Sequence, residues 1–222
     1  MEIMKREDKG LRAVIFDMDG VLLDSEKLYC RFWMEAAREA GYDWQMEHSL
    51  RMRSLSAEYA APLVREMFDE HFDYHAVRER RKALMNAYLE IHPIEMKAGV
   101  RETLLRLRTM GYKTAVATAT DRERTGRYLG QAGLTDLFDE IVCTAMVAHG
   151  KPAPDVYLYA AAAIGERPEC CLAVEDSPNG ILAASRAGLK PVMAVDLSEP
   201  GDELQSLLYG CIHSLPELLE LL

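Results

Sequence analysis

From residue 100 to residue 195 the chain keeps one rhythm: a helix-length amphipathic segment, a glycine, then a short apolar run. Residues 100–110 read as a helix stopped by Gly111, 113–118 as a strand, 121–132 as a helix closed by Gly133, and 140–144 as a strand. Residues 154–164 form a helix with Pro154 at its start and Gly165 at its end, 171–174 a strand, 178–187 a helix stopped by Gly188, and 191–195 a strand. Glycine marks the helix ends because it accepts the left-handed conformation that terminates them. Strands joined through single helices over short links pair in parallel, since each helix returns the chain to the same edge. The rhythm predicts an α/β fold, a parallel sheet with helices on both faces. Residues 11–16, a β-branched apolar run, add a buried strand, and Ser214-Leu215-Pro216-Glu217 reads as a capping box opening a last short helix.

Between the first strand and residue 100 the rhythm is missing. Residues 25–40 are helical, with Leu28, Phe32 and Ala36 at i, i+4 spacing and Gly41 as a stop. Residues 56–70 and 74–91 read as two more helices, the second carrying the charge run Arg78 to Lys82, which is simplest as a solvated face. No strand signal occurs between about 25 and 110, so a helical block is expected to be inserted after the first strand. The chain shows no internal repeat and no low-complexity segment.

Composition narrows the function. The 222 residues include 26 Lys and Arg against 36 Asp and Glu, a net charge of −10. Nucleic acid and anionic membrane both demand clustered cations, so neither is the expected partner. A phosphorylated small molecule needs only a local positive site and stays open. No apolar run reaches the roughly 18–20 residues of a membrane span. The charged N-terminus, MEIMKREDKG, lacks a signal-peptide core. Five Cys, an odd number without a C-x-x-C pair, argue against a disulfide framework and for a reducing cytoplasm. Cys170 and Cys171 precede an apolar run and read as strand-entry residues. A monomer is expected.

In parallel sheets chemistry collects beyond the carboxyl ends of the strands. Here those ends carry Asp17-Met18-Asp19-Gly20, Thr118-Ala119-Thr120-Asp121, Gly150-Lys151-Pro152 and Glu175-Asp176-Ser177. A carboxylate can attack phosphorus and form an acyl phosphate, and a second one two residues on can pass a proton to the leaving group and take one from water. Carboxylates from another strand end can hold Mg²⁺, a hard ion that prefers oxygen. Lys and a Thr hydroxyl can bind phosphoryl oxygens. Taken singly each is weak: D-x-D is common in exposed turns, and Glu-Asp-Ser is often a plain helix cap. Four such groups at successive strand ends point at one rim. There Asp17, Asp19, Glu175 and Asp176 would repel one another unless a cation joined them.

At these residues the chain resembles the haloacid dehalogenase superfamily, and within it the branch of β-phosphoglucomutase and the phosphoglycolate phosphatase-like enzymes. The matching stretches run from Phe16 to Glu26, Val116 to Thr120, Gly150 to Asp155 and Val174 to Gly180, in the family's order. The resemblance implies a Rossmann-like core of residues 1–24 and 96–222 with a helical cap of residues 25–95. It implies Asp17 as nucleophile, Asp19 as general acid/base, and Thr118, Ala119 and Lys151 around the phosphoryl group. Mg²⁺ would be held by Asp17, the backbone carbonyl of Asp19 and Asp176, with Glu175 beside them. An Asp at position 19 favours phosphate esters over the other chemistries of the superfamily.

Within the branch, phosphatase and mutase remain to be separated. The mutase's cap His corresponds to Tyr29 here, whereas Trp33 matches a mutase-like aromatic. The cap loop has Ser54 where glycine is usual and no clear Arg after it. These departures, with Glu26, favour a phosphatase over a sugar phosphomutase; a non-catalytic phospholigand-binding module is the further alternative. Tyr29 and Trp33, one helical turn apart, and Arg53 are candidate substrate contacts, though aromatics at this spacing also serve as core, and Arg51 and Arg53 would also be at home in solvent. His71 and His75 mimic a metal pair but lack a third ligand.

Overall fold

The computed structural model describes residues 10–222; residues 1–9, which include most of the segment read as lacking a signal peptide and the start of the expected core, lie outside the described residues. Strand β1 (Ala13–Phe16) leads into helices α1 (Glu26–Glu39), α2 (Met46–Met52), α3 (Ala57–Met67), α4 (Tyr74–Leu89) and α5 (Val100–Thr109). Then come β2 (Lys113–Thr118), α6 (Arg122–Gln131), β3 (Glu140–Cys143), α7 (Asp155–Ala163), β4 (Cys171–Glu175), α8 (Pro178–Arg186), β5 (Lys190–Ala194), α9 (Asp202–Gln205) and β6 (Gly210–Ile212).

The six strands form one parallel sheet in the order β3-β2-β1-β4-β5-β6. The chain builds outward from β1 in one direction and then returns to build in the other, so β1 is the topological switch point where a crevice opens. Phe16 is level with Val116 on one side and Val174 on the other, which brings the segments after β1, β2 and β4 out side by side.

The strands alternate between two cores, as a period of two requires. Val14, Phe16, Val116 and Val174 pack with Leu104 and Leu107 of α5 and Leu129 of α6. Ala13, Ile15, Ala115, Ala117 and Ala173 face Val156, Tyr157 and Ala160 of α7 and Ala183 of α8. Small residues dominate this second face, so the Ala-rich α7 can lie close to the sheet. The expected helices on both faces are present.

Helices α1 to α4 build a further cluster around Trp33, Trp44, Val64, Phe72 and Tyr74. Trp33 stacks on Trp44, ring centroids 5.2 Å apart and planes 6° from parallel. Phe32 of α1 and Met85 and Leu89 of α4 belong to the first of these cores and tie the two helices to the sheet.

Several boundaries differ from the sequence reading. The first strand is four residues, Ala13–Phe16, not six. Helix α2 was not expected. It is seven residues long and buries only Ser49 and Met52, and its cap is an unusual pair in which Gln45 N–H donates to His48 Nδ1 at 2.9 Å. Helix α9 and strand β6 are also additions, too short at four and three residues to show a period. The C-terminal segment Leu215–Glu220 is a 3₁₀ helix, and its capping box is altered: Glu217 accepts from His213 N–H and Ser214 Oγ, so Ser214 does not cap the backbone. All five cysteines are free, with Cys171 buried at the start of β4. No helix among the described residues is long and apolar enough to cross a membrane.

Candidate active site

Asp17 follows β1 directly and stays on the sheet, its N–H donating to Val174 O at 2.9 Å. The residue is 3% exposed. Lys151, wholly buried, meets it from the loop before α7. An ammonium has three protons, and Lys151 Nζ has three acceptors: Asp17 Oδ1 at 2.7 Å, Ala117 O at 2.8 Å and Glu175 Oε1 at 2.6 Å. Burial works against the lysine's charge, but Asp17 and Glu175 outweigh it and hold its pKa above the usual value. Tyr157 Oη also donates to Glu175 Oε1, at 2.6 Å. Glu175 thereby orients Lys151, and its other oxygen faces Ser177 Oγ at 3.4 Å.

Asp19 is held differently. Its Oδ1 accepts from Ser25 Oγ at 2.6 Å and its Oδ2 from Thr120 Oγ1 at 2.7 Å. Two neutral hydroxyls fix its position. Thr118 Oγ1 accepts from Thr120 N–H at 3.0 Å, which leaves the Thr118 hydroxyl proton for another acceptor.

Two glycines make room for this geometry. Gly20 has φ +79°, and a Cβ there would lie 2.3 Å from Asp176 Oδ2. At Gly180, inside α8, a Cβ would lie 1.9 Å from the carboxyl carbon of Glu175. Either side chain would collide with a carboxylate of the site.

Asp17, Glu175 and Asp176 each place a carboxylate oxygen within 4.8 Å of the other two, and all three are buried. Burial, the first cause, lifts Asp17 well above the usual carboxylate range; Lys151 opposes this, while Glu175, Asp176 and Asp19 add to it. Asp176 is lifted by burial and then by Glu26, against the pull of Arg53. Asp176 Oδ1 is buried and has no hydrogen-bond partner among the described residues. An oxygen-only donor set with an orphaned buried oxygen and surplus negative charge fits a hard divalent cation. The side chain of Asp19 is outside this trio. His71 and His75 are not joined by a third ligand among the described residues.

A cavity of about 90 Å³ opens over Asp17 and Asp19, between the sheet and helices α1 to α4. Ala119 and Thr120 line it from below, and Tyr29, Trp33, Met52, Arg53 and Arg81 are among the groups that line it from the helical block. Tyr29 Oη is 3.3 Å from Thr120 Oγ1, so the first aromatic of the expected pair reaches the site's hydrogen-bond network. Trp33 edges the cavity but stacks on Trp44 and Tyr74, so it also belongs to the core. The two arginines of α2 and its end divide. Arg51 is exposed, near Glu66. Arg53 is buried, donating to Asp176 Oδ2 at 3.2 Å and to Ser198 Oγ, and thereby tying the helical block to the sheet. Ser54, next to it, has φ 59° and is the one non-glycine residue in the left-handed region among the described residues. Its backbone has the shape for which glycine is usual.

Ser25, Tyr157, Arg81 and Arg124 join the site beyond the residues expected from sequence. Ser25 lies within the Phe16–Glu26 stretch and is legible there. Tyr157 and the two arginines sit in ordinary amphipathic positions and give no local signal.

The model of the haloacid dehalogenase-like hydrolases matches residues 11–188. A phosphorylated carbohydrates phosphatase of Thermotoga maritima is 30% identical over 210 residues, 92% of this chain and 87% of that protein. The fructose-1-phosphate phosphatase YqaB of Escherichia coli is 31% identical over 182 residues, 81% of this chain and 94% of its own length. Among solved structures, CbbY from Rhodobacter sphaeroides in complex with phosphate superposes with a TM-score of 0.76 at 26% identity, covering 94% of this chain and 96% of that one. A β-phosphoglucomutase from Clostridium difficile shares the fold, with a TM-score of 0.79 at 20% identity over 94% of this chain and 93% of its own.

Proposed function

The chain belongs to the haloacid dehalogenase-like hydrolase family, and on that premise we propose that it is a Mg²⁺-dependent phosphatase of a small phosphorylated metabolite, with a sugar phosphate as the leading class. The observation that carries the reading is the unlike bonding of the two aspartates: Asp17 is held by a lysine and Asp19 by two hydroxyls. In this reading Asp17 attacks phosphorus in line and forms an aspartyl phosphate. Lys151, beside Asp17 Oδ1, and Thr118, with the backbone at Ala119, hold the phosphoryl oxygens. Asp19, steadied by Ser25 and Thr120, gives a proton to the departing alcohol and then takes one from the attacking water.

Asp17, Asp176 and the Asp19 carbonyl would hold the cation, with Glu175 beside them. When bound, Mg²⁺ supplies charge stabilisation for the transferring phosphoryl group. Residues 25–95 serve as a cap over the core of residues 10–24 and 96–222, and exclude bulk water while the phosphoryl group is transferred.

Tyr29 supports a phosphatase over a mutase. Burial, then Asp19, raises its phenol pKa, so it stays protonated and cannot act as a base toward a sugar hydroxyl near neutral pH. Phosphate release from a panel of sugar phosphates, run beside an assay for interconversion of β-glucose 1-phosphate and glucose 6-phosphate with a bisphosphate activator, tests the reading. Mg²⁺-dependent release is the expected result. Isomerisation faster than release overturns it in favour of a mutase, and binding without turnover in favour of a ligand-binding module.

A further inference from the structure

The cavity holds arginines that phosphoryl transfer at Asp17 leaves unused. Arg81, on α4, is only 4% exposed. Its guanidinium lies 4.8 Å from the ring centroid of Tyr29 and 5.4 Å from that of Trp33. Among the described residues its one hydrogen-bond acceptor is weak, Met85 Sδ at 3.9 Å, and its Nε has none. Among the described residues no carboxylate lies within ion-pair distance of it. Arg124, on α6, is 7% exposed and reaches into the same cavity from the sheet side. Its Nε donates to Asp121 Oδ2 at 2.9 Å, but its Nη1 is buried without a partner among the described residues. Arg78 lines the cavity too, with Glu79 3.7 Å away.

A guanidinium does not lose its proton in proteins, so these charges persist. Burial depresses the Arg81 pKa, and Arg124 and Arg78 push the same way against the help of Tyr29. Burying a charge without an anion is costly, and such groups persist in natural proteins mainly at functional sites. Arg81, with no carboxylate partner, and Arg124, paired through Nε with Asp121, thus line one cavity, and each keeps a buried donor without an acceptor among the described residues.

Its position relative to the reaction follows from a chain of contacts. Asp19 accepts from Thr120, Thr120 meets Tyr29, and Arg81 stacks on the Tyr29 ring. Arg81 thus lies one tyrosine ring beyond the acid/base, with Arg124 lining the same cavity.

We propose that Arg81 and Arg124 form a second anion-binding subsite, so that the substrate is a phosphomonoester whose leaving group carries a carboxylate or a second phosphoryl group. The proposal rests on the phosphatase reading above. The planar fork of Arg suits both kinds of oxyanion. A leaving group with hydroxyls alone would leave the buried donors poorly matched, and such a mismatch is the strongest basis for rejection.

The test uses two matched pairs with the intact enzyme and Mg²⁺: erythrose 4-phosphate against 4-phosphoerythronate, and fructose 1-phosphate against fructose 1,6-bisphosphate. The anionic member of at least one pair is expected to have a kcat/KM at least about tenfold higher. Arg81→Met should reduce that preference at least about tenfold, chiefly through KM, and Arg81→Lys should restore part of it. A response confined to the first pair assigns a carboxylate, and one confined to the second a phosphoryl group. Equal turnover within both pairs, or a preference that Arg81→Met leaves intact, overturns the subsite. Should Arg81→Met fail to fold, Arg124→Met answers the same question. If no compound is hydrolysed, the phosphatase reading has failed, and the subsite is then judged by calorimetric binding of 4-phosphoerythronate and erythrose 4-phosphate to Asp17→Asn. Tighter binding of the former sustains the subsite, and equal binding overturns it.

Discussion

Lys151 stands 134 positions after Asp17 in the chain, yet its Nζ donates to Asp17 Oδ1 at 2.7 Å while gripping Glu175 at 2.6 Å. One buried cation therefore orders both the residue after β1 and the residue that ends β4. Removing it leaves two buried carboxylates unpaired. Lys151→Met should cost about 3–5 kcal/mol of stability, the usual penalty for breaking a buried pair. Urea unfolding of the two proteins measures it, and a loss below about 1 kcal/mol would show that the lysine is not what holds these carboxylates.

The two aspartates should fail in different ways. Asp17→Asn lacks the attacking group and is expected to release no phosphate from p-nitrophenyl phosphate above background. Asp19→Ala keeps the nucleophile and the buried carboxylate trio, so Mg²⁺ binding should survive while turnover falls at least about 10²-fold. An unchanged rate would remove Asp19 from acid/base work.

Gly180 has no space for a methyl group, since its Cβ would sit 1.9 Å from the Glu175 carboxyl carbon. Gly180→Ala should push Glu175 off Lys151 and Tyr157, at the about 1–3 kcal/mol typical of overpacking. Loss of turnover with the same substrate and a lower melting temperature are expected together. Gly126, whose Cβ would meet nothing within 4 Å, is the control.

Glu26 sets a pH dependence. Burial, then Asp19, raises its pKa from 4.5 to about 8, against the pull of Arg53. The folded protein thus keeps a proton that the unfolded chain releases near 4.5. The sign follows: Glu26 favours the fold most below that value and loses this contribution as the pH rises through about 8. Glu26→Gln cannot ionise. In chelator, its melting temperature relative to wild type should climb steadily from pH 5 to pH 8; a flat difference would sink the assignment.

The orphaned Asp176 Oδ1 predicts a metal response that needs no turnover. Mg²⁺ should raise the melting temperature, because a ligand that binds only the folded state stabilises it by mass action. Asp176→Asn should weaken that shift at every Mg²⁺ concentration. An equal shift in both proteins would place the cation elsewhere.

The parallel sheet and its rim were legible because both depend on local signals. Apolar runs of strand length, glycines at helix ends and a polar cluster after each strand are all readable without knowing what packs on what. Asp17, Asp19, Lys151, Glu175 and Asp176 could be named for that reason. Boundaries slipped where signals are short: α2, α9 and β6 have too few residues to display a period. Arg53 was ambiguous because the same side chain in the same helix end is at home in solvent or in a buried ion pair, and only its neighbours decide.

What the sequence determined by itself was the direction of each strand and the chemistry at its end. Which groups meet was decided by tertiary structure. Strand order places β1 between β2 and β4, so Asp17 finds Lys151, and the helical block folds over so that Tyr29 reaches Thr120. The charge run of α4 shows the difference best. Along the chain Arg80 and Arg81 are identical neighbours, and their surroundings sort them: Arg80 pairs with Glu39 in solvent, while Arg81 is turned inward between Tyr29 and Trp33. Burial is a property of the partners a helix face acquires, and no local pattern records those partners.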